Sequence, residues 1–127
     1  MNPFPMVEKA VKELIETGYE PAAGNVGGDL SYDGTGLYVW IGLVPGGVTD
    51  EIEGEWILDV DCFGRTYAEA MSHALNLEPV LIGRRKVTSV MRLDSCTQNE
   101  GPSERPWDDE TSYRVGATYV FTARRSG

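Results

Sequence analysis

The sequence has a single histidine, His73, and only two cysteines, Cys62 and Cys96. That scarcity removes most catalytic and metal chemistry at the outset. Two cysteines far apart build no disulfide framework. Cys62, His73 and Cys96 would need a fourth ligand to hold zinc, and their spacing fits no zinc pattern. A Ser-His-Asp array would have to use His73 with Ser72 or Ser89, but no Gly-x-Ser-x-Gly turn exposes either serine. No enzyme activity, metal or other cofactor is expected.

Basic residues are also scarce. Eleven Lys and Arg stand against 20 Asp and Glu, for a net charge of −9. Gripping a phosphate backbone needs clustered cations, so specific nucleic-acid binding is not expected. An acidic wall would instead repel DNA and let it slide past. No apolar run approaches 18 residues, so no membrane span is expected. Met1 to Met6 carry no basic stretch and no apolar segment follows, so no signal peptide is expected. The expected setting is a reducing cytoplasm.

What is present suits one domain over residues 1–127. The chain is 41% hydrophobic, enough for one core, and its 15 glycines and seven prolines imply many turns. Val7, Ala10, Val11, Leu14 and Ile15 recur at helical spacing, which predicts a helix over 3–17 that stops at Gly18. Pro3 and Pro5 fit its first turn. Residues 20–36 are rich in Gly, Pro, Asn and Asp and read as loop, with a short extended piece near Leu30 to Tyr32. They lack the Gly-Lys-Ser/Thr ending of a phosphate loop.

Residues 37–44 read as a strand, and 45–54 as a turn-rich connection. Residues 55–63 alternate: Trp56, Leu58, Val60 and Cys62 on the core face, with Glu55, Ile57, Asp59, Asp61 and Phe63 opposite. Thr66-Tyr67-Ala68-Glu69 is a capping box that opens a helix expected to end near Leu77, before Pro79. Residues 83–86 read as a basic turn, 87–98 as a long strand, 99–110 as a polar loop, and 112–124 as the last strand. The fold class is then α+β. Two layers are expected: a mostly antiparallel sheet of four or more strands, flanked by two helices on one face.

Two groups of residues stand out as candidate surfaces. Arg84 and Arg85, together with the loop segment Arg105, Trp107, Asp108, Asp109 and Glu110, are candidates for contact with a partner or another subunit. Tryptophan is enriched at interface hot spots, and a basic cluster on an acidic chain can meet another copy of itself. Glu55, Asp59 and Asp61 share a strand face and are candidates for an acidic surface facing a channel.

The chain is similar to the small tail-terminator (tail completion) proteins of long-tailed phages, especially those of phages of actinobacteria. The resemblance runs through the amphipathic helix Val7 to Ile15 and the apolar strand Leu37 to Val44. Its most recognisable piece is the join Ile57-Leu58-Asp59-Val60-Asp61-Cys62-Phe63 followed by Thr66-Tyr67-Ala68-Glu69-Ala70. The Pro-Trp loop Arg105-Pro106-Trp107-Asp108 and the strand Tyr113 to Thr122 complete it. The glycine-rich segment 24–36 departs from that pattern. The resemblance implies a virion protein of the tail and neck, assembled in the host cytoplasm as a ring, typically a hexamer. Such a ring caps the head-proximal end of the tail tube, contacts the major tail-tube protein, stops its polymerisation and docks a neck or head-completion protein. DNA passes through without specific binding. A head-closure or neck adaptor is the alternative within the virion, and a small monomeric ligand-binding α+β domain is the alternative from another class.

Overall fold

The computed structural model describes residues 6–28, 36–44, 53–107 and 112–124. Helix α1 spans Met6–Gly18. It buries Val7, Ala10, Val11 and Ile15 of the stripe expected from the sequence, with Leu14 partly buried against the core. A short 3-10 turn, Glu20–Ala22, follows. Strands β1 (Val26–Gly27) and β2 (Tyr38–Val44) then pair in parallel, Val26 opposite Val39. The expected helical start at Pro3 and Pro5, the extended piece at Leu30 to Tyr32, and most of the 45–54 connection lie outside the described residues.

Strand β3 (Glu53–Gly64) leads into helix α2 (Tyr67–Leu81). Thr66 caps that helix as its sequence requires: the Glu69 backbone N–H donates to Thr66 Oγ1 at 3.1 Å. The helix does not stop at Leu77. It continues through Pro79, although proline lacks an N–H and crowds the carbonyl of Leu75. Leu75 and Pro79 are exposed, so solvent reaches that carbonyl, while buried Leu77 and Leu81 hold the last turn on the sheet. The Ile82 N–H closes the helix on Glu78 O at 2.8 Å.

The region after α2 differs most from expectation. Residues 83–87 form an edge strand, β4 (Gly83–Val87), rather than a turn. The long strand expected over 87–98 is broken at its start by a tight turn. Thr88 Oγ1 accepts from the backbone N–H groups of Val90 and Met91, and its own hydroxyl donates to Met91 O at 2.7 Å. This local bonding competes with the ladder and makes β4 a hairpin with strand β5 (Arg92–Arg105). Strand β5 also runs through most of the segment expected to be loop. It pairs with strand β6 (Tyr113–Arg124) as far as Arg105 opposite Arg114. Register shifts at Gln98/Glu100 and Glu100/Ser103 absorb Gly101 and Pro102. Beyond Cys96, β5 has no pairing with β4, so among the described residues Pro102 lies where one edge is open and a missing N–H is harmless.

The sheet has six strands in the order β1-β2-β3-β6-β5-β4, all antiparallel except the β1–β2 pair. Helix α2 lies against β3, β5 and β6, and α1 against β1, β2 and α2. The α+β class expected from the sequence is the one observed. The core forms between the helices and one sheet face, with Leu58, Val60, Cys62, Val115, Ala117, Tyr119 and Phe121 meeting Val11, Ile15, Ala74 and Leu77. Each large apolar side chain buried there contributes about 1.5–3 kcal/mol against the entropy of ordering it. The helices approach closely at Gly18, where an added Cβ would lie 2.7 Å from Val80 Cγ1.

A polar contact fixes the end of α1 to α2. Asn76 donates to the Tyr19 hydroxyl at 3.5 Å, which leaves that hydroxyl to donate to His73 Nδ1 at 2.5 Å. Burial pushes the His73 imidazole pKa down, with the Glu69 carboxylate pulling the other way. The unfolded chain therefore takes up this proton more readily than the folded one. The contribution to stability is complete above the ordinary histidine value of about 6.5 and is lost as pH falls below it. Urea denaturation should show wild type losing more stability than His73→Gln between about pH 7 and about pH 5. Parallel pH dependence in the two proteins would refute this. In the same assay at neutral pH, Thr66→Ala should lower stability by about 1 kcal/mol, with Thr66→Ser retaining most of it.

Candidate functional site

The second face of the sheet carries no helix among the described residues. Strand alternation and register arrange its side chains in rows across the strands. One row runs Tyr38, Phe63, Arg114, Arg105; the next Trp40, Asp61, Gly116, Ser103; the next Gly42, Asp59, Thr118, Glu100. Facing β-strands thus bring Asp59 and Asp61 of β3 against arginines of β5 and β6.

The contacts are specific. Arg114 Nε donates to Asp61 Oδ2 at 2.6 Å. Arg105 Nη1 lies 2.9 Å from Asp59 Oδ1 and 3.4 Å from Asp61 Oδ1. Thr118 Oγ1 donates to Asp59 Oδ1 at 2.7 Å and accepts from Arg105 Nη2 at 3.1 Å. The Arg114 guanidinium lies over the Trp40 ring at 5.0 Å and the Phe63 ring at 5.6 Å, geometry for cation–π attraction. Phe63 in turn packs edge-on against Trp107 with centroids 4.7 Å apart, and Trp107 Nε1 donates to Ser112 Oγ at 2.9 Å.

Asp61 is 0% exposed. Its Oδ1 is the one buried side-chain oxygen without a hydrogen bond among the described residues; its contact with Arg105 is ionic only. Burial pushes the Asp61 carboxyl pKa up, opposed by the charges of Arg105 and Arg114. Gly116 makes room for this carboxylate. A Cβ at 116 would sit 1.8 Å from Asp61 Oδ1, a distance no side chain can occupy.

These positions bear directly on the residues singled out from the sequence. Asp59 and Asp61 do share a face, as alternation requires, but their charges are paired with arginines and Asp61 meets no solvent. Glu55 is exposed on the same strand. Arg105 turns inward to the two aspartates, and half-buried Trp107 anchors its segment on Phe63. Asp108, Asp109 and Glu110 lie outside the described residues. Arg114, absent from the expected site, is central to it. Its signal was in the sequence: Arg114 and Thr118 alternate on one strand as Asp59 and Asp61 do on another.

Arg84 and Arg85 lie elsewhere, at the β4–β5 end of the sheet. With Arg92, Asp94, Ser95 and Thr122 they line an open groove of about 440 Å³. Arg92 contacts Asp94 at 3.5 Å, and Ser95 and Thr122 hydroxyls bond to each other at 2.5 Å. Arg85 holds a left-handed backbone, φ 56°, which is unfavourable for a side chain of this kind.

Among the described residues neither surface assembles a nucleophile with a base. Both cysteines are buried free thiols; burial raises the Cys62 pKa strongly and pushes that of Cys96 up to about 12, so both stay protonated at neutral pH. Among the described residues no three metal-binding side chains gather. No helix among them is long and apolar enough to cross a membrane.

Removing Arg114 would leave the Asp61 anion buried beside Arg105 alone. Arg114→Met should cost about 3 kcal/mol at neutral pH by urea denaturation. The deficit should shrink as acid protonates Asp61, and the double variant Asp61→Asn/Arg114→Met should regain most of it. A deficit equal at all pH values and not relieved by the second change would refute the assignment.

No protein-family model matches the sequence, and no curated protein matches it significantly. A solved structure does match: a chain from the virion of a native gene transfer agent particle. It superposes with a TM-score of 0.71 at 16% sequence identity, over 94% of this chain and 95% of that one. At that identity the likeness is one of fold, and it extends across nearly the whole of both chains.

Proposed function

We propose that this chain is a virion structural protein that caps the head-proximal end of a phage tail tube. The observation that carries the reading is the end-to-end likeness of fold to a chain of a gene transfer agent virion. The sequence resemblance to tail-terminator proteins gives the more specific role. On this reading several copies, six in the family it resembles, close into a ring on the last layer of tube protein. The ring stops polymerisation and offers its other side to a neck or head-completion protein. It acts in the virion and is assembled in the host cytoplasm.

The second sheet face supports a scaffold role. Asp59 and Asp61 are tied to Arg105 and Arg114, which fixes β3, β5 and β6 relative to one another there. The functional surfaces then fall to strand ends, loops and the remaining unpaired charges, Glu55 among them. A net charge of −9 suits a conduit that DNA crosses without sticking.

The test adds the purified protein to polymerising tail-tube protein and measures tube length by electron microscopy. Tubes should become shorter as the protein is added, with a ring of extra density at one end. Tubes of unchanged length and end structure overturn the reading. Binding to DNA-filled heads without any effect on tubes would favour a head-closure or neck adaptor instead.

A further inference from the structure

Strand alternation breaks at the β4–β5 end of the sheet. Successive residues of a regular strand point to opposite faces. Arg84 and Arg85 of β4 are neighbours in sequence, yet both line the groove there, and so do the neighbours Asp94 and Ser95 of β5. On β5 the break lies between Leu93 and Cys96, which both belong to the core although strict alternation would put them on opposite faces. On β4 it falls at Arg85. Its φ of 56° lies in the left-handed region that glycine adopts freely and longer side chains avoid. Arg85 is exposed, so packing of its side chain in the core does not explain that backbone. Strain of this kind at the surface points to a functional constraint.

The break gathers hydrogen-bond donors. Arg84 and Arg85 make no ion pair among the described residues. Arg92 joins them, 3.5 Å from Asp94, which is the only acid of the lining. Three guanidiniums against one carboxylate leave an excess of two positive charges. Ser95 and Thr122 add hydroxyls. These bond to each other, and whichever donates, the other keeps its own O–H for a further acceptor. A planar carboxylate has two oxygens, and one guanidinium fork satisfies both. A terminal phosphate group offers three acceptor oxygens and about two negative charges near neutral pH. It can therefore engage both uncommitted forks and the hydroxyl together, and its charge matches the excess. An internal phosphodiester of DNA carries half that charge, and the net charge of −9 repels a long polyanion.

We propose that the Arg84–Arg85–Arg92 groove is a binding site for a dianionic phosphate group, with the Ser95–Thr122 hydroxyl pair on its wall. The left-handed turn at Arg85 is the device that brings two consecutive arginines to one side of the sheet. The site is independent of the tail-capping role.

The test is a 1H–15N NMR titration of the full chain at a constant ionic strength of about 0.1 M, which screens diffuse attraction. Inorganic phosphate should shift the amides of Arg84, Arg85, Arg92 and Ser95 along a saturating curve. Acetate should bind at least about tenfold more weakly. A nucleoside 5′-monophosphate identifies the source: tighter binding than inorganic phosphate assigns the site to a phosphate ester, and binding no tighter assigns it to free phosphate. Arg84→Gln and Arg85→Gly should each weaken phosphate binding at least about tenfold. Thermal melts establish that both variants are folded, and Arg85→Gly should melt no lower than wild type, because glycine adopts this backbone freely. Shifts that do not saturate, acetate binding equal to phosphate, or undiminished binding by both variants would each overturn the proposal. So would duplex DNA with hydroxyl ends that shifts these amides when inorganic phosphate does not. An Arg85→Gly chain that melts well below wild type would overturn it too, by assigning the strained backbone to folding.

Discussion

The ion pair between Asp61 and Arg114 constrains the rest of the sheet. A carboxylate with no exposed surface is stable only if cations reach it with good geometry, and here one guanidinium does so at 2.6 Å. That demand fixes three strands relative to one another. β3 supplies the acid, β6 the arginine, and β5 must run far enough to bring Arg105 to the same place. It also fixes a backbone position. Gly116 lies opposite Asp61 because any side chain there would occupy the space of the carboxylate. The aromatic groups follow from the arginine. Trp40 and Phe63 flank Arg114, and Trp107 packs on Phe63, so the segment after β5 is anchored to the same point.

This explains which parts of the fold were legible in the sequence. The helices and β2, β3 and β6 bury one face in a common core, so apolar periodicity reports them directly. The capped start of α2 was equally plain, because Thr66 and Glu69 act locally. The outer half of β5 was not. Its sequence, Asn99 to Arg105, is polar and holds Gly101 and Pro102, and nothing apolar marks it as strand. It is strand because β6 pairs with it and because Arg105 has acids to reach, and both causes lie far off in sequence. β4 was hidden for a similar reason. Gly83-Arg84-Arg85-Lys86 carries turn composition, and only pairing with β5 makes it extended.

The candidate site shows the same division. Alternation alone separated Asp59 and Asp61 from the core face of their strand. It could not show that the opposite face is also partly closed, since that depends on which strand lies next to β3. With β6 as the neighbour, Asp59 meets Thr118 and Asp61 meets Gly116, and acids that looked free in sequence are neutralised within the molecule. Arg84 and Arg85 are the converse case. They read as part of a basic turn and as candidates for contact with a partner, and the hairpin instead gathers them with Arg92 around one groove.

Internal neutralisation changes what the net charge means. Pairing Asp59 and Asp61 with Arg105 and Arg114 removes two charges of each sign and leaves the total at −9. The cations left over become fewer and more localised, so their position carries more information than their number. Most of those that are described on the sheet belong to the β4–β5 hairpin, where Arg84, Arg85 and Arg92 gather around one groove, while Glu100 and Glu104 of β5, opposite Thr118 and Val115, lie on the two faces of the sheet.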